Sequence, residues 1–417
     1  MIRQYDVAIV GAGPAGSAAA TAMAQRGWAV LLLEQESLPR HKVCGEFLSP
    51  EAQQSLQRLG LYAQVNALAP VALYHAVLTA PAGRQLRVAL PDYAWGVSRY
   101  ALDDALATAA QVAGASVWTG VTVTQVATVA AGYTLHLRTT ATDAAPSHPP
   151  TVWARSVILA CGRHSRLSAP PSGHQAKVRY VGVKCHYSFP EKNFPAKSSP
   201  TSSSDRMEQN FSTARYAAGD LPAQVELFFF SGGYGGINPV ENGCANLCLL
   251  VTYAAFQQAG KSPTALLEAA SRLQPALAAR LAHAHPLPAT LKSVAAIDTA
   301  QPATPWQEAP CIGDAAAMIT PLCGDGMAMA LRGAELCVPL ADAFLRGQIS
   351  QVEWMQEYCR AWRGEFDRRL RLGRLLQSAL ARPHIADLLV GVGKLAPALA
   401  TYLVGATRGP LVSARTG

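Results

Sequence analysis

Six residues near the amino terminus, Gly11-Ala12-Gly13-Pro14-Ala15-Gly16, carry the first chemical signal in this chain. They lie between a short apolar run, Val7–Val10, and an alanine-rich stretch that ends near Gly27. A second apolar run, Trp28–Leu33, leads to Glu34 and Gln35. In a strand–turn–helix–strand unit the first glycine permits the tight turn. The second lets the backbone approach a pyrophosphate, and the third lets helix and sheet pack closely. Pro14 and Ala15 then open a helix whose free N–H groups point at the phosphates. Glu34, with Gln35 beside it, stands at the right distance to accept ribose hydroxyl groups. The implied chemistry is dinucleotide binding.

A second glycine-rich region reads Gly313-Asp314-Ala315-Ala316, then Pro321 and Gly324-Asp325-Gly326-Met327-Ala328. Taken with the first, it resembles the flavoprotein superfamily of aromatic hydroxylases (monooxygenases), geranylgeranyl reductases and flavin halogenases. The specific motifs lie at 11–16, 34, 42–45, 99 and 313–328. The resemblance implies FAD, bound noncovalently and extended. Its adenosine would rest on Glu34, its ribityl chain would bond Asp314 after Gly313, and its isoalloxazine would lie near Pro321–Met327. Gly324 and Gly326 would let backbone approach the ring. A helix N-terminus at that point stabilises negative charge on the reduced ring by up to about 2 kcal/mol. Arg99 matches the family arginine between ring and pyrophosphate, and Arg40 and Lys42 match basic contacts on the adenosine side.

Cys44-Gly45-Glu46 resembles the cysteine–glycine segment that lies beside the isoalloxazine in geranylgeranyl reductases. A thiol there can touch the flavin, hold substrate or donate a proton. Glu46 is an acid/base candidate if burial raises its pKa. Tyr234, near Phe228-Phe229-Phe230, is expected to put an aromatic ring on the substrate side, with Gly235 and Gly236 leaving room for a ligand. Cys44, Glu46 and Tyr234 are thus the catalytic candidates. Lys184 and His186 alternate with apolar residues and are expected to face solvent. Two departures from the family patterns matter. Aromatic hydroxylases carry Asp-Gly where this chain has Cys161-Gly162-Arg163, so the electron donor, NAD(P)H or a separate reductase, stays open; Gly162 remains a cofactor contact. The Trp-x-Trp-x-Ile-Pro signature of halogenases is absent, and Gly233–Pro239, the nearest segment, has no tryptophan.

These residues must be positioned by a sizeable α/β chain. It has 417 residues, half of them apolar and 15% charged, which excludes a disordered chain. The expected fold is a Rossmann-type FAD-binding domain with an inserted antiparallel β-sheet substrate domain and a C-terminal helical region. The first comprises residues 1–70, 98–168 and 290–346, the second 71–97 and 169–289, the third 347–417. Strands are expected at 178–189, 223–231 and 244–253, a polar loop at 190–222, and one helix from Ser262 to about Leu281. The net charge of +8 gathers in the tail, where ten Lys/Arg face five Asp/Glu from residue 350 onward. Arg368, Arg369, Arg371 and Arg374 among leucines suggest peripheral membrane contact or a cover for the substrate pocket. Nucleic acid is not an expected partner. Nine cysteines without a Cys-x-x-Cys motif read as reduced thiols in a cytoplasmic protein, with no metal expected. Leu388–Ala406 is interrupted by Lys394 and Pro397 and is a poor membrane span.

The expected activity is that of an FAD-dependent oxidoreductase acting on a hydrophobic substrate (aromatic, polyketide-like or isoprenoid). A flavin monooxygenase is the first reading. A geranylgeranyl-reductase-like reduction of carbon–carbon double bonds is the alternative, and a non-catalytic flavin redox sensor is a third reading from another class.

Overall fold

The computed structural model describes residues 3–139, 148–163, 167, 178–189 and 222–395. The expected 190–222 loop, apart from residue 222, lies outside them, as does the tail beyond residue 395. In chain order, β1 (Arg3–Val10), α1 (Pro14–Ala24) and β2 (Val30–Leu33) form the first unit. Next come β3 (Phe47–Leu48), α2 (Pro50–Arg58), α3 (Tyr62–Asn66), β4 (Val71–Thr79), β5 (Gln85–Gly96) and α4 (Arg99–Val112). Four strands follow: β6 (Ser116–Trp118), β7 (Val121–Val129), β8 (Gly132–Thr139) and β9 (Thr151–Leu159). Then come β10 (Tyr180–Ser188), β11 (Gln224–Phe230), β12 (Gly233–Pro239) and β13 (Cys244–Thr252). The described chain closes with α5 (Tyr253–Gln258), α6 (Pro263–Leu273), α7 (Pro275–Leu281), β14 (His285–Ile297), α8 (Gly326–Leu345), α9 (Gln351–Leu380) and α10 (Pro383–Leu395).

The first sheet has the order β6-β2-β1-β9-β8-β7. Its first four strands are parallel, and β8 and β7 run antiparallel to their neighbours. Val7–Val10 and Val30–Leu33 are continuous apolar runs because both are buried on two faces. Helix α1 packs against α4 and α8. Its residues Pro14 through Met23 are all buried, and their small side chains permit that close approach.

The second sheet has the order β14-β10-β13-β12-β11-β4-β5-β3. It is antiparallel except for the parallel pairing of β11 with β4. Val183, Cys185, Leu247, Leu249 and Phe228 on one face form a core with Leu266, Leu267 and Leu277 of α6 and α7. The other face carries polar residues and belongs to the site described below.

Three features depart from expectation. The single helix at 262–281 is two helices, because Pro275 lacks an N–H and Gln274 turns extended (φ −131°, ψ 96°), its side chain capping Ala276. Strand β14 has no clear alternation and carries Pro286 and Pro288, tolerable at a sheet edge. It spans position 290 and pairs with β10 at the end of the second sheet. The basic tail is also partly internal. Arg369 is buried and pairs with Glu51 at 3.1 Å and Glu365 at 2.7 Å, while Arg374 donates to the carbonyls of Thr299 and Gln301. Helix α9, opened by the Ser350/Glu353 capping box, lays Trp354, Tyr358, Trp362 and Phe366 into the main core. Among the described residues no helix is long and apolar enough to cross a membrane.

Candidate functional site

The nucleotide wall starts at the glycine turn. Gly11 has φ +106°, and a Cβ there would overlap the Ala160 carbonyl; one on Gly16 would overlap the Gly11 carbonyl. Gly13 caps α1 in an extended conformation without a side-chain cap, and Pro14 follows, so no side chain of the cap residue takes up the first N–H groups of the helix. Glu34 is buried at the end of β2, and Gln35 beside it is exposed. The Oε2 of Glu34 accepts from Ala12 N at 2.9 Å and from Arg40 Nη2 at 3.0 Å. Arg40 Nη1 reaches Asp103 Oδ2 at 2.9 Å, and Asp103 in turn receives a two-pronged pair from Arg99 at 2.7 Å each. Burial alone would lower the pKa of the Arg99 guanidinium, but Asp103 outweighs it and raises it. A row of alternating charges, Glu34–Arg40–Asp103–Arg99, therefore runs along the wall. Its far end passes the glycine turn, with Arg99 Nη2 3.6 Å from where a Gly13 Cβ would stand. Asp103 was not a candidate from sequence; its i,i+4 spacing from Arg99 on one helix was the available signal.

The opposite wall comes from the second glycine region. Gly313 (φ +61°) and the exposed Asp314 follow Cys311, which bridges to Leu159 of β9. Gly324 (φ +71°) is the left-handed residue after an exposed Pro321, and a Cβ there would come within 3.0 Å of the Phe47 ring. Helix α8 begins at Gly326 with Met327 buried. Lys42 and Arg163 complete the cleft: Lys42 Nζ is 3.7 Å from where a Gly162 Cβ would stand. Both are lowered in pKa, first by the crowding walls; Lys42 is lowered further by Arg99 and Arg40, while Asp314 opposes the shift of each. An anion beside Lys42 would relieve its repulsion by Arg99 and Arg40.

The Cys44-Gly45-Glu46 turn lies between this cleft and the second sheet. Cys44 is half-buried beside the Arg99 guanidinium, Gly45 is exposed, and Glu46 is fully buried with φ +56°. Glu46 Oε1 pairs with Lys184 Nζ and accepts from Arg99 N at 3.0 Å; Oε2 lies 2.6 Å from His186 Nε2. Burial would raise the Glu46 pKa as the sequence suggested. The hydrogen bond and charge of His186, then Lys184, overcome it and hold the carboxyl below its ordinary value. Glu46 is thus a fixed counter-charge, and the expectation of a raised acid is corrected. The exposure expected for Lys184 and His186 is also corrected: they are 0% and 6% exposed. Their alternation with apolar residues was visible, but this sheet is covered on both faces, so the polar side faces protein.

Tyr234 is half-buried, its hydroxyl has no hydrogen-bond partner among the described residues, and burial followed by Cys248 and Cys323 raises its pKa well above 10. Cys248 is itself pushed up to about 12 by burial and by Cys44. The structure therefore gathers Cys44, Cys248, Cys323 and Tyr234 from four separate segments. The aromatic run divides across the pleat. Phe228 and Phe230 enter the core under α6 and α7, while Phe229 sits 5.9 Å from Tyr234. Gly235 and Gly236 leave room for Leu249 and Leu227 side chains rather than for a ligand.

A sequence model described as an FAD binding domain matches residues 4–358. The chain belongs to this family. Its cofactor is FAD, and the glycine turn, the uncapped N-terminus of α1 and the cationic cleft suit a flat, dianionic dinucleotide. The flavoprotein is 27% identical over 349 residues to a menaquinone reductase of Mycobacterium tuberculosis, covering 81% of this chain and 76% of that one. It is 39% identical over 62 residues to a squalene monooxygenase of Candida glabrata, covering 15% and 13%. Among solved structures, a geranylgeranyl bacteriochlorophyll reductase-like protein of Thermoplasma acidophilum superposes with a TM-score of 0.72 at 19% identity, over 94% of this chain and 91% of that one.

Proposed function

We propose that this FAD-dependent oxidoreductase saturates a carbon–carbon double bond in an isoprenoid-like, hydrophobic substrate. The observation that carries the reading is the Cys44 thiol beside Arg99, at the seam between the nucleotide wall and the second sheet. The extended likeness to a menaquinone reductase supports it. In this reading Gly11, Gly13, Pro14, Ala15 and Gly16 hold the pyrophosphate. Glu34, Gln35 and Arg40 serve the adenosine side, and Gly313 and Asp314 the ribityl chain. Arg99, Gly45, Gly162, Pro321, Gly324, Gly326 and Met327 surround the ring.

Saturating the bond takes two electrons and two protons. When bound and reduced by NAD(P)H or a separate reductase, FAD would supply the electron pair with one proton. Cys44 Sγ holds the second proton and is reprotonated from solvent. Tyr234, kept protonated by burial, presents a neutral hydroxyl on the same side. Phe229 and the surrounding apolar walls exclude water from the alkene. Glu46, its oxygens fully engaged, takes no proton in the cycle. The exposed Leu388 and Leu395 of α10 suit peripheral contact with the membrane that would store such a substrate.

The short likeness to a squalene monooxygenase favours a second reading, oxygenation of the same class of substrate. Anaerobic turnover with a polyprenyl quinone and a chemical reductant separates the two. A product that is still two hydrogens heavier after its ring has been reoxidised to the quinone, formed without O₂, supports saturation. Product only in air, carrying label from ¹⁸O₂, rejects it in favour of oxygenation.

A further inference from the structure

The Cys44–Glu46 turn is held by more hydrogen bonds than a three-residue surface turn requires. Strand register explains their origin. His186 on β10 pairs with Asn246 on β13, which pairs with Asn238 on β12, so the three lie in one row across the second sheet. Lys184 stands two residues from His186 and shares its face. Every member of this group points at the turn. Asn246 Nδ2 donates to the Cys44 carbonyl at 3.0 Å, and Asn238 Nδ2 donates to the Glu46 carbonyl at 3.3 Å. Lys184 and His186 bind the Glu46 carboxylate. Thr290 of β14 fixes the His186 backbone at 2.8 Å.

Glu46 passes these contacts on. Its backbone N–H lies 3.4 Å from Cys44 Sγ, and its carboxylate accepts from the first N–H of α4, the helix that carries Arg99. Its φ of +56° is unfavourable for a residue with a side chain and persists where surrounding contacts over-determine it. The thiol and the start of α4 are thereby both referenced to one buried residue, Glu46.

We propose that Lys184, His186, Asn238 and Asn246 are positioning residues: together they form a polar platform that locks Glu46 and so sets where the Cys44 thiol stands relative to Arg99 and the flavin. This rests on the reading of Cys44 given above. None of the four touches the reacting atoms; each acts through the turn.

The test uses the full chain, with and without saturating FAD, and peptide-resolved alkylation by iodoacetamide, with Cys359 on α9 as internal reference. His186→Leu should raise the Cys44 rate in the flavin-free chain at least tenfold relative to Cys359 and change the visible circular dichroism of bound FAD. His186→Gln, which keeps a donor, should restore both toward the parent. Asn246→Ala removes a neutral contact without stranding a charge, and it should raise the Cys44 rate severalfold should His186→Leu fail to fold. Cys44 rates unchanged within twofold, or lowered, in the folded variants overturn the proposal, as does failure of His186→Gln to rescue. If the rates move as expected but no alkene is reduced, the platform stands and the double-bond reading falls.

Discussion

The Glu34 region and the Glu46 region both centre on a buried carboxylate that meets basic side chains, yet they are built for opposite purposes. Along the nucleotide wall the charges alternate in a row, and the row ends beside an uncapped helix N-terminus and a cleft holding Lys42 and Arg163. Ligand can join that row. Around Glu46 the three polar partners close on both oxygens, and the residue is fully buried. Nothing can join it without breaking it. The open row recognises; the closed cluster fixes a turn. A buried ion pair adds little net stability, but removing one member leaves an uncompensated charge.

The largest test of this contrast is on the open side. Gly11→Val places a branched side chain on the Ala160 carbonyl at a left-handed φ, and FAD affinity should fall at least about 100-fold, read by flavin fluorescence titration. On the closed side, Lys184→Met should destabilise the chain by about 3–5 kcal/mol in urea unfolding. Adding Glu46→Gln should recover most of that loss, because no charge is then stranded. If the double variant is as unstable as the single, the cluster is not governed by charge pairing. Asp103→Asn should be smaller, about 1–3 kcal/mol, and should weaken FAD several-fold by releasing Arg40 and Arg99 from one acceptor.

Acid should distinguish the regions further. His41 packs on His186 and Tyr100, and burial, then the charges of Lys184 and His186, lower its pKa to about 4. The unfolded chain takes up this proton near pH 6.5 while the native chain does not. The contribution is present above pH 6.5 and is lost as pH falls toward 4. Glu46 acts in the same sense at lower pH, since its folded value also lies below its ordinary one. His41→Gln should flatten the fall in urea midpoint between pH 6.5 and 4, and an unchanged slope would assign that proton elsewhere. The smallest effect belongs to the surface: Leu388→Ser with Leu395→Ser should leave the urea midpoint nearly unchanged but reduce flotation with anionic phospholipid vesicles.

The sequence made the open side readable because its constraints are local. Gly11, Gly16 and Glu34 are demanded by one turn and the strand after it, and Gly313 and Gly324 by backbone that only glycine adopts easily. The fold class followed from the same motifs. The closed cluster was not readable in that way. Glu46 and His186 are 140 residues apart, and only strand register brings His186, Asn246 and Asn238 into line. Alternation in β10 was visible, but alternation cannot say whether the polar face meets water or protein. The raised pKa expected of Glu46 failed for the same reason, since desolvation was apparent and the compensating partners were not. Strand β14, an edge strand with two prolines, gave no periodic signal.

In the proposed arrangement bound FAD lies against the Cys44 turn while Glu46 stays sealed behind it. Alkylation of the wild-type chain, followed at Cys44 and Cys359 by mass spectrometry during an FAD titration, tests it most directly. Cys44 should become at least tenfold slower to react as FAD reaches one equivalent, with Cys359 unaffected. Equal reactivity of Cys44 in the FAD-free and FAD-saturated protein would contradict it.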